Sequence, residues 1–167
     1  HTAIVGKWHL GLTWPRDGEE IDFSQPVGDT PRTRGFDKSF IIPASLDFPP
    51  YVYIEGDRVT SASTTIQEKQ RFPAFLRQGP RGDDLVMEEV LDRLTDEAVR
   101  VVRERAAEEE PYFLYFPLTA PHKPVLPHPR FRGTTGLGDY GDFIAQVDDA
   151  VGRVLAAVDA SGEAENT

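Results

Sequence analysis

The order of apolar segments along this chain constrains its fold more than any other feature of the sequence. A short β-branched run, Thr2 to Val5, ends at a glycine and predicts a buried strand that leads into a loop. A dense aromatic and aliphatic segment, Pro111 to Thr119, predicts a second strand of the kind found at the buried centre of a sheet. Each strand is followed by a loop and then by a helix. This alternation favours an α/β fold with a mostly parallel sheet flanked by helices.

Two helices are predicted. In the first, Thr95 is the expected N-cap and Asp96 and Glu97 lie at the positive end of the helix dipole. The second runs from about Tyr140 to a stop signal at Ser161-Gly162. Its apolar residues follow helical spacing and comprise Tyr140, Phe143, Ile144, Val147, Val151, Val154, Leu155 and Val158. Asp148 lies on this face and is predicted to be partly buried with a partner.

The segments between these elements are predicted to be mostly irregular. Residues 11–50 are rich in Gly, Pro, Asp and Arg, which predicts a long excursion without regular structure. Tyr51 to Val59 alternates around a Gly-Asp turn and predicts a small hairpin. Ser61 to Asp84 is polar and is predicted to be loop.

Length and charge narrow the class of protein. The 167 residues, 39% of them hydrophobic, suffice for a core of single-domain size. A net charge of -10 argues against a nucleic-acid or anionic-membrane partner, and no apolar run is long enough to cross a bilayer. The absence of cysteine excludes disulfides and thiolate metal sites within these residues. Because the sequence starts without Met and already in a strand, we expect it to be a piece of a longer protein.

Two loops carry the residues best suited to chemistry. Lys7 and His9 follow the first predicted strand in GKWHLG, and His122 and Lys123 follow the second in TAPHKP. In parallel α/β sheets, ligands bind where loops leave the carboxyl ends of strands. If the two loops meet, they form a cationic pocket in an otherwise acidic chain. Such a pocket suits a tetrahedral oxyanion, and its histidines could exchange protons near neutral pH.

Composition and spacing alone also allow a purely structural role for the histidines of these loops. A single histidine near a strand end is more often a hydrogen-bonded structural residue than a catalyst. A zinc site formed by His9 and His122 is less favoured, because the chain has neither HExxH spacing nor cysteine ligands.

The segment HTAIVGKWHLG resembles the second signature of the sulfatase family, in which a Gly-Lys element with a nearby histidine follows a strand. Three further stretches, Arg34 to Val59, Leu94 to Gly133 and Gly138 to Thr167, resemble arylsulfatase segments in the family's order. The similarity covers nearly the whole chain. It implies the alkaline-phosphatase-like α/β fold and the hydrolysis of small-molecule or glycan sulfate esters.

The resemblance also implies roles for individual residues. In that family a cysteine or serine is oxidised to formylglycine, which attacks sulfur beside a divalent cation, usually Ca2+. Lys7 would bridge the sulfate and formylglycine oxygens, and His9 would hold a formylglycine hydroxyl and act as a base. His122 would contact a sulfate oxygen or the ester oxygen and help the alcohol to leave. Ser45, in IPASLD, matches a serine that lines the same pocket.

Other parts of the family pattern are absent from this sequence. The nucleophile motif, Cys or Ser followed by x-Pro-x-Arg, is missing: a similar stretch begins at Ser24 but has Gly28 in place of the arginine. The early paired aspartates and the later Asp-Asn element that hold the metal are missing too. We therefore expect residues 1–167 to be part of one sulfatase catalytic domain without its N-terminal nucleophile and metal segment and its C-terminal metal-binding strand. Calcium and formylglycine are expected outside this chain, which alone should be inactive.

Two alternatives remain at this point. One is a phosphodiesterase or phosphonate monoester hydrolase of the same superfamily, and the other is a non-catalytic relative that binds anions or glycans. The resemblance implies a periplasmic or secreted protein, although no residue in the sequence indicates it. The natural substrate and the oligomeric state are not predicted.

Overall fold

The computed structural model describes residues 1–72 and 74–167, which form nine strands and two α-helices. The strands are β1 (Thr2–Lys7), β2 (Arg16–Asp17), β3 (Glu20–Ile21), β4 (Lys38–Ile42), β5 (Ile54–Glu55), β6 (Arg58–Val59), β7 (Thr64–Gln67), β8 (Gly79–Gly82) and β9 (Phe113–Tyr115). The helices are α1 (Val90–Ala106) and α2 (Gly138–Ser161).

Five of the strands form one sheet in the order β6-β5-β4-β1-β9. Strand β1 pairs in parallel with β4 on one side and with β9 on the other. Strands β5 and β6 extend the sheet beyond β4 as an antiparallel hairpin. The sheet is therefore mixed: β4, β1 and β9 are parallel, and β5 and β6 are antiparallel. The predicted α/β fold is confirmed.

Both faces of the sheet are covered near β1, which explains why that strand is apolar throughout. Val5 packs with Phe40 on the face that also contacts Leu94 and Ala98 of α1. The neighbouring residue, Ile4, belongs to a second cluster on the opposite face. Side chains on successive strand residues point to opposite faces, so a strand buried on both sides reads as a continuous apolar run.

Helix α2 packs against α1 rather than directly over the centre of the sheet. Leu91 of α1 clusters with Phe143 and Ala150, and Val102 clusters with Ala157. The predicted end of this helix is confirmed, because Gly162 adopts a left-handed conformation (φ 81°) directly after Ser161.

The predicted start of the first helix is wrong. The helix begins at Val90, and Thr95 lies within it, fully buried, with its hydroxyl donating to the Leu91 carbonyl (2.7 Å). The charged turn of Thr95-Asp96-Glu97 resembles a helix start but is preceded by an apolar stretch that already packs against the core. Tertiary packing decided the boundary.

Four other sequence predictions differ from the structure. The supposed irregular region 11–50 contains β4, a central strand of the sheet, and the predicted loop 61–84 contains the β7–β8 hairpin. Pro73 of that loop lies outside the described residues.

Strand β9 lies at the sheet edge among the described residues, with Phe113 58% exposed and Tyr115 48% exposed. Asp148 is exposed, whereas Asp142 is the buried aspartate of α2. The hairpin predicted for Tyr51 to Val59 is confirmed as β5–β6.

Neither of the two α-helices, nor any other helix among residues 1–72 and 74–167, combines the length and apolarity required to cross a bilayer.

Candidate functional site

The four predicted site residues lie at or after the carboxyl ends of three neighbouring strands. Lys7 is the last residue of β1, and His9 follows it closely. Ser45 follows the end of β4, and His122 follows β9. Because β4, β1 and β9 are parallel neighbours, their carboxyl ends lie side by side.

Backbone hydrogen bonds hold the loop after β1 between its two neighbouring strands. The Lys7 amide donates to the Pro117 carbonyl beyond β9 (2.8 Å). On the other side, the Trp8 amide donates to Ile42 (3.0 Å) and the His9 amide donates to Pro43 (3.0 Å). The loop that carries Lys7 and His9 is therefore fixed to both strands rather than free in solvent.

Gly6 is required for this close approach. Its φ of 137° is a conformation that side-chain-bearing residues rarely adopt, and a Cβ at this position would lie 2.1 Å from the Pro117 carbonyl oxygen. The glycine that opens GKWHLG thus lets β1 approach the chain beyond β9 and places Lys7 at the junction.

Trp8 and His9 are neighbours in the same loop but have different environments, since Trp8 is buried and His9 is exposed. The Trp8 ring is buried in the cluster beneath the sheet, and its indole N–H donates to the Gly11 carbonyl (2.8 Å). His9 is exposed and has a φ of 54°, which is unusual for a residue other than glycine. Such strained residues cluster at functional sites. Trp8 anchors the turn, and His9 is presented at its surface.

His122 is also exposed, and its own loop orients its ring. Its Nδ1 lies 2.6 Å from the Lys123 carbonyl oxygen. Because a carbonyl can only accept, Nδ1 is the ring nitrogen that carries the hydrogen in this contact. The other ring nitrogen, Nε2, then remains available to take up or release a proton.

Ser45 is buried beneath the same edge. The residue is 1% exposed, and none of the described residues forms a hydrogen bond with its hydroxyl. Nearby Asp47 is equally buried, and its Oδ1 likewise has no hydrogen-bond partner within the described part of the chain. Buried polar atoms without partners are uncommon in folded proteins and call for a functional or structural explanation.

A third segment, which the sequence analysis did not single out, connects the loops. The Phe48 ring lies 5.6 Å from the His9 ring and directly under the Arg77 guanidinium, 3.8 Å from its central carbon. Two residues before Arg77, the Phe75 ring lies 3.9 Å from the Lys123 ammonium. The segment that carries Phe75 and Arg77 therefore contacts both the loop after β4 and the loop that carries His122.

Sequence reasoning missed this segment because no spacing rule distinguishes it. Phe48, Phe75 and Arg77 lie in stretches that are rich in proline and glycine and were predicted to be irregular. The available signal was weak: aromatic residues stand beside charged ones where a solvated loop would be mostly polar.

Comparison with known proteins identifies the family. The sulfatase family profile matches residues 1–167, which is the whole chain. The chain belongs to the sulfatase family. An N-acetylgalactosamine-6-O-sulfatase of Bacteroides thetaiotaomicron is 30% identical over 99% of this chain and 38% of its own length. The rat N-acetylgalactosamine-6-sulfatase is 31% identical over 98% of this chain and 28% of its own length. The chain thus spans well under half the length of these two sulfatases.

Solved structures agree with this assignment. A protein described in a study of glycosaminoglycan metabolism by Bacteroides thetaiotaomicron aligns with a TM-score of 0.79 and 28% identity, over 96% of this chain and 40% of its own. A sulfatase from a Pseudoalteromonas species aligns with a TM-score of 0.66 and 18% identity, over 97% of this chain and 32% of its own. The second similarity supports the fold alone.

In the described part of this sulfatase chain, the side chains do not by themselves form a metal centre. Among residues 1–72 and 74–167, no group of three or more His, Cys, Asp or Glu side chains is placed to hold a metal ion. The described residues therefore do not supply a donor set that fits the calcium ion implied by the family.

Proposed function

We propose that the whole protein containing this chain hydrolyses sulfate esters, and that this chain supplies one wall of the active site. The observation that carries the proposal is the parallel pairing of β1 with β9, because Lys7 and His9 lie at the carboxyl end of β1 and His122 lies in the loop that follows β9. Membership of the sulfatase family supports the chemistry.

Lys7 is the proposed anchor for the transferred group. Lys7 is the last residue of β1, where a hydrogen bond from its amide to the Pro117 carbonyl holds the backbone, and ligands of parallel sheets bind at this end of the strands. An ammonium group is a compact point charge that suits the oxygens of a sulfate. Negative charge that develops on those oxygens in the transition state would strengthen the interaction.

His122 is the proposed proton donor to the leaving group. Hydrolysis breaks the bond between sulfur and the ester oxygen, and the departing alkoxide needs a proton. With Nδ1 bonded to the Lys123 carbonyl, Nε2 of the protonated ring can supply that proton. The imidazole that results can be reprotonated by solvent, because His122 is exposed.

His9 and Ser45 complete the proposed wall. His9 is held at the surface of the site by a strained backbone and by contact with Phe48, a suitable position for a base. Ser45 lies beneath it with a hydroxyl that lacks a hydrogen-bond partner in the described structure, and is proposed to line the sulfate pocket. The formylglycine nucleophile and the calcium ligands are proposed to lie outside this chain.

The relatives suggest a substrate class. Both of the similar sulfatases above are named for the 6-sulfate of N-acetylgalactosamine. We propose a glycan of this kind as the substrate of the whole protein.

The test is release of inorganic sulfate by the whole protein. We expect hydrolysis of a 6-O-sulfated N-acetylgalactosaminide and no comparable turnover of a phosphodiester. Turnover of the phosphodiester in preference to the sulfate ester would replace the proposal with the phosphodiesterase reading, and hydrolysis of neither would favour a non-catalytic binding protein.

A matched pair of histidine variants tests the role of His122. His122→Ala should lower kcat by about 10²- to 10⁴-fold, the range for loss of a general acid, with little change in melting temperature. His128→Ala is the control, because the His128 side chain accepts from the Arg130 amide in a local turn and is not assigned to the proposed chemistry. A loss of activity in His122→Ala that only parallels a loss of stability would contradict the assignment.

A further inference from the structure

Arg77 presents a fixed guanidinium group at the edge of the candidate site. Its central carbon lies 3.8 Å from the centre of the Phe48 ring, and its Nη2 lies 3.9 Å from Oδ2 of the buried Asp47. The stacking and the ion pair fix the plane and the position of the group.

Within residues 1–72 and 74–167, no hydrogen bond occupies the donors of this guanidinium. The Arg77 side chain is 49% exposed, and none of its guanidinium N–H groups donates to any residue within 1–72 and 74–167. The 3.9 Å separation from Asp47 is a charge contact that is too long for a hydrogen bond. An oriented cation with unused donors is the arrangement that recognises planar or tetrahedral oxyanions.

The backbone of Arg77 is held independently of its side chain. The hydroxyl of buried Tyr51 accepts from the Arg77 amide (3.0 Å) and donates to the Arg77 carbonyl (2.8 Å). These two hydrogen bonds do not involve the guanidinium, so they can persist in a variant that lacks it.

Arg77 is one aromatic ring away from the proposed chemistry. Phe48, on which it stacks, also contacts the His9 ring at 5.6 Å. Lys7 and His122 are already assigned to the sulfate that is hydrolysed, which leaves Arg77 for a different group of the substrate.

We propose that Arg77 is a specificity-determining residue that binds a second anionic group of the substrate, a carboxylate or a sulfate on the saccharide beyond the scissile ester. Asp47 is the positioning residue: its buried carboxylate holds the guanidinium over Phe48 without occupying its hydrogen-bond donors. The preferred substrate is accordingly an acidic oligosaccharide. This inference rests on the proposed function and specifies the substrate of the same site.

The test compares substrates that differ in one charge. The whole protein is assayed with a disaccharide of 6-O-sulfated N-acetylgalactosamine and a hexuronate, and with the same disaccharide after reduction of the carboxylate to an alcohol. A third disaccharide carries a second sulfate in place of the carboxylate, which identifies the source of the anion. We expect wild-type kcat/KM to be higher for the acidic substrates.

In Arg77→Ala this preference should fall by about tenfold or more, mainly through KM, as expected for loss of a hydrogen bond to a charged group. Arg77→Lys, which keeps the charge but not the planar fork, should retain part of the preference. Arg103→Ala should retain all of it, because Arg103 lies near the end of α1, at the opposite edge of the sheet from the candidate site.

The outcomes separate the inference from the proposed function. Three results would each overturn the role of Arg77. In Arg77→Ala, kcat/KM could fall equally for the acidic and the reduced disaccharides, or it could fall for neither. Alternatively, the wild-type protein could show no preference for the acidic disaccharides. Calorimetry measures the affinity for the acidic and the reduced disaccharides, and so tests the same preference without turnover. A protein that binds it in an Arg77-dependent way but releases no sulfate would overturn the proposed sulfatase activity and leave the binding role intact. If Arg77→Ala lowers the melting temperature, the comparison is made with Arg77→Gln, which keeps the stem that packs on Phe48.

Discussion

At the scale of single residues, Gly6 controls the geometry of the site through its missing side chain. Gly6→Ala would place a Cβ 2.1 Å from the Pro117 carbonyl oxygen on a backbone with a φ of 137°. We expect a loss of about 2 kcal/mol or more in the free energy of unfolding, because strain and overpacking both act there. Activity should fall as well, since Lys7 and His9 follow directly. Urea denaturation and sulfate release measure the two effects.

Gly152 supplies the matched control. It lies within α2, and a Cβ there would meet no other atom within 4 Å. Gly152→Ala should therefore raise stability by about 0.5–1 kcal/mol, the usual difference between glycine and alanine inside a helix. If Gly6→Ala were as well tolerated as Gly152→Ala, the close approach of β1 to Pro117 would be wrong.

Individual residues were predictable only where a motif or a strand end marked them. Lys7, His9 and His122 could be chosen because histidine and lysine directly follow apolar strand segments. Arg77 and Phe48 could not, because their partnership joins two irregular segments that no local pattern relates. Contacts between distant loops depend on the fold and leave no periodic trace in the sequence.

At the scale of elements, Asp142 joins the start of α2 to the turn that precedes it. Its carboxylate accepts from the Thr135 hydroxyl (2.7 Å), the Thr135 amide (3.0 Å) and the Gly133 amide (2.6 Å). These hydrogen bonds, the Thr135 hydroxyl first among them, lower the pKa of Asp142 below its ordinary value of 3.8. The lowered pKa means that the folded state favours the ionised form.

The sign of the pH effect follows from that shift. The stabilisation by Asp142 is complete above its ordinary pKa and is lost as pH falls through the lower pKa of the folded state. Asp142→Asn should therefore lower the melting temperature near neutral pH, and the difference from wild type should shrink below about pH 4. Asp139→Asn, at an exposed position in the first turn of α2, is the control. A difference that stays constant into acid would contradict the role of the ionised carboxylate.

The elements differed in how far the sequence could predict them. Helix α2 was predicted almost to the residue because its length allows the apolar period to repeat and Gly162 ends it. Strand β4 was missed because its five residues stand among glycines, prolines and charges, and only pairing with β1 defines it. Strand β9 was predicted to be central because it is rich in aromatic residues, and among the described residues it pairs only with β1.

At the scale of the whole molecule, charge and topology act together. The chain carries a net charge of -10, yet Lys7, Arg77 and Lys123 all belong to loops at or in contact with one edge of the sheet. Parallel pairing of β4, β1 and β9 produces this concentration, because it places the carboxyl ends of three strands together. The fold class was predictable from the alternation of elements, and the candidate site was proposed from that fold class.

The central claim is that Lys7, His9 and His122 bind one sulfate group. The most direct measurement is a crystal structure of the whole protein with inorganic sulfate bound. The account predicts one sulfate whose oxygens lie within hydrogen-bond distance of the Lys7 ammonium and of the rings of His9 and His122. A sulfate held in the active site by other residues, with these three side chains directed away from it, would contradict the account.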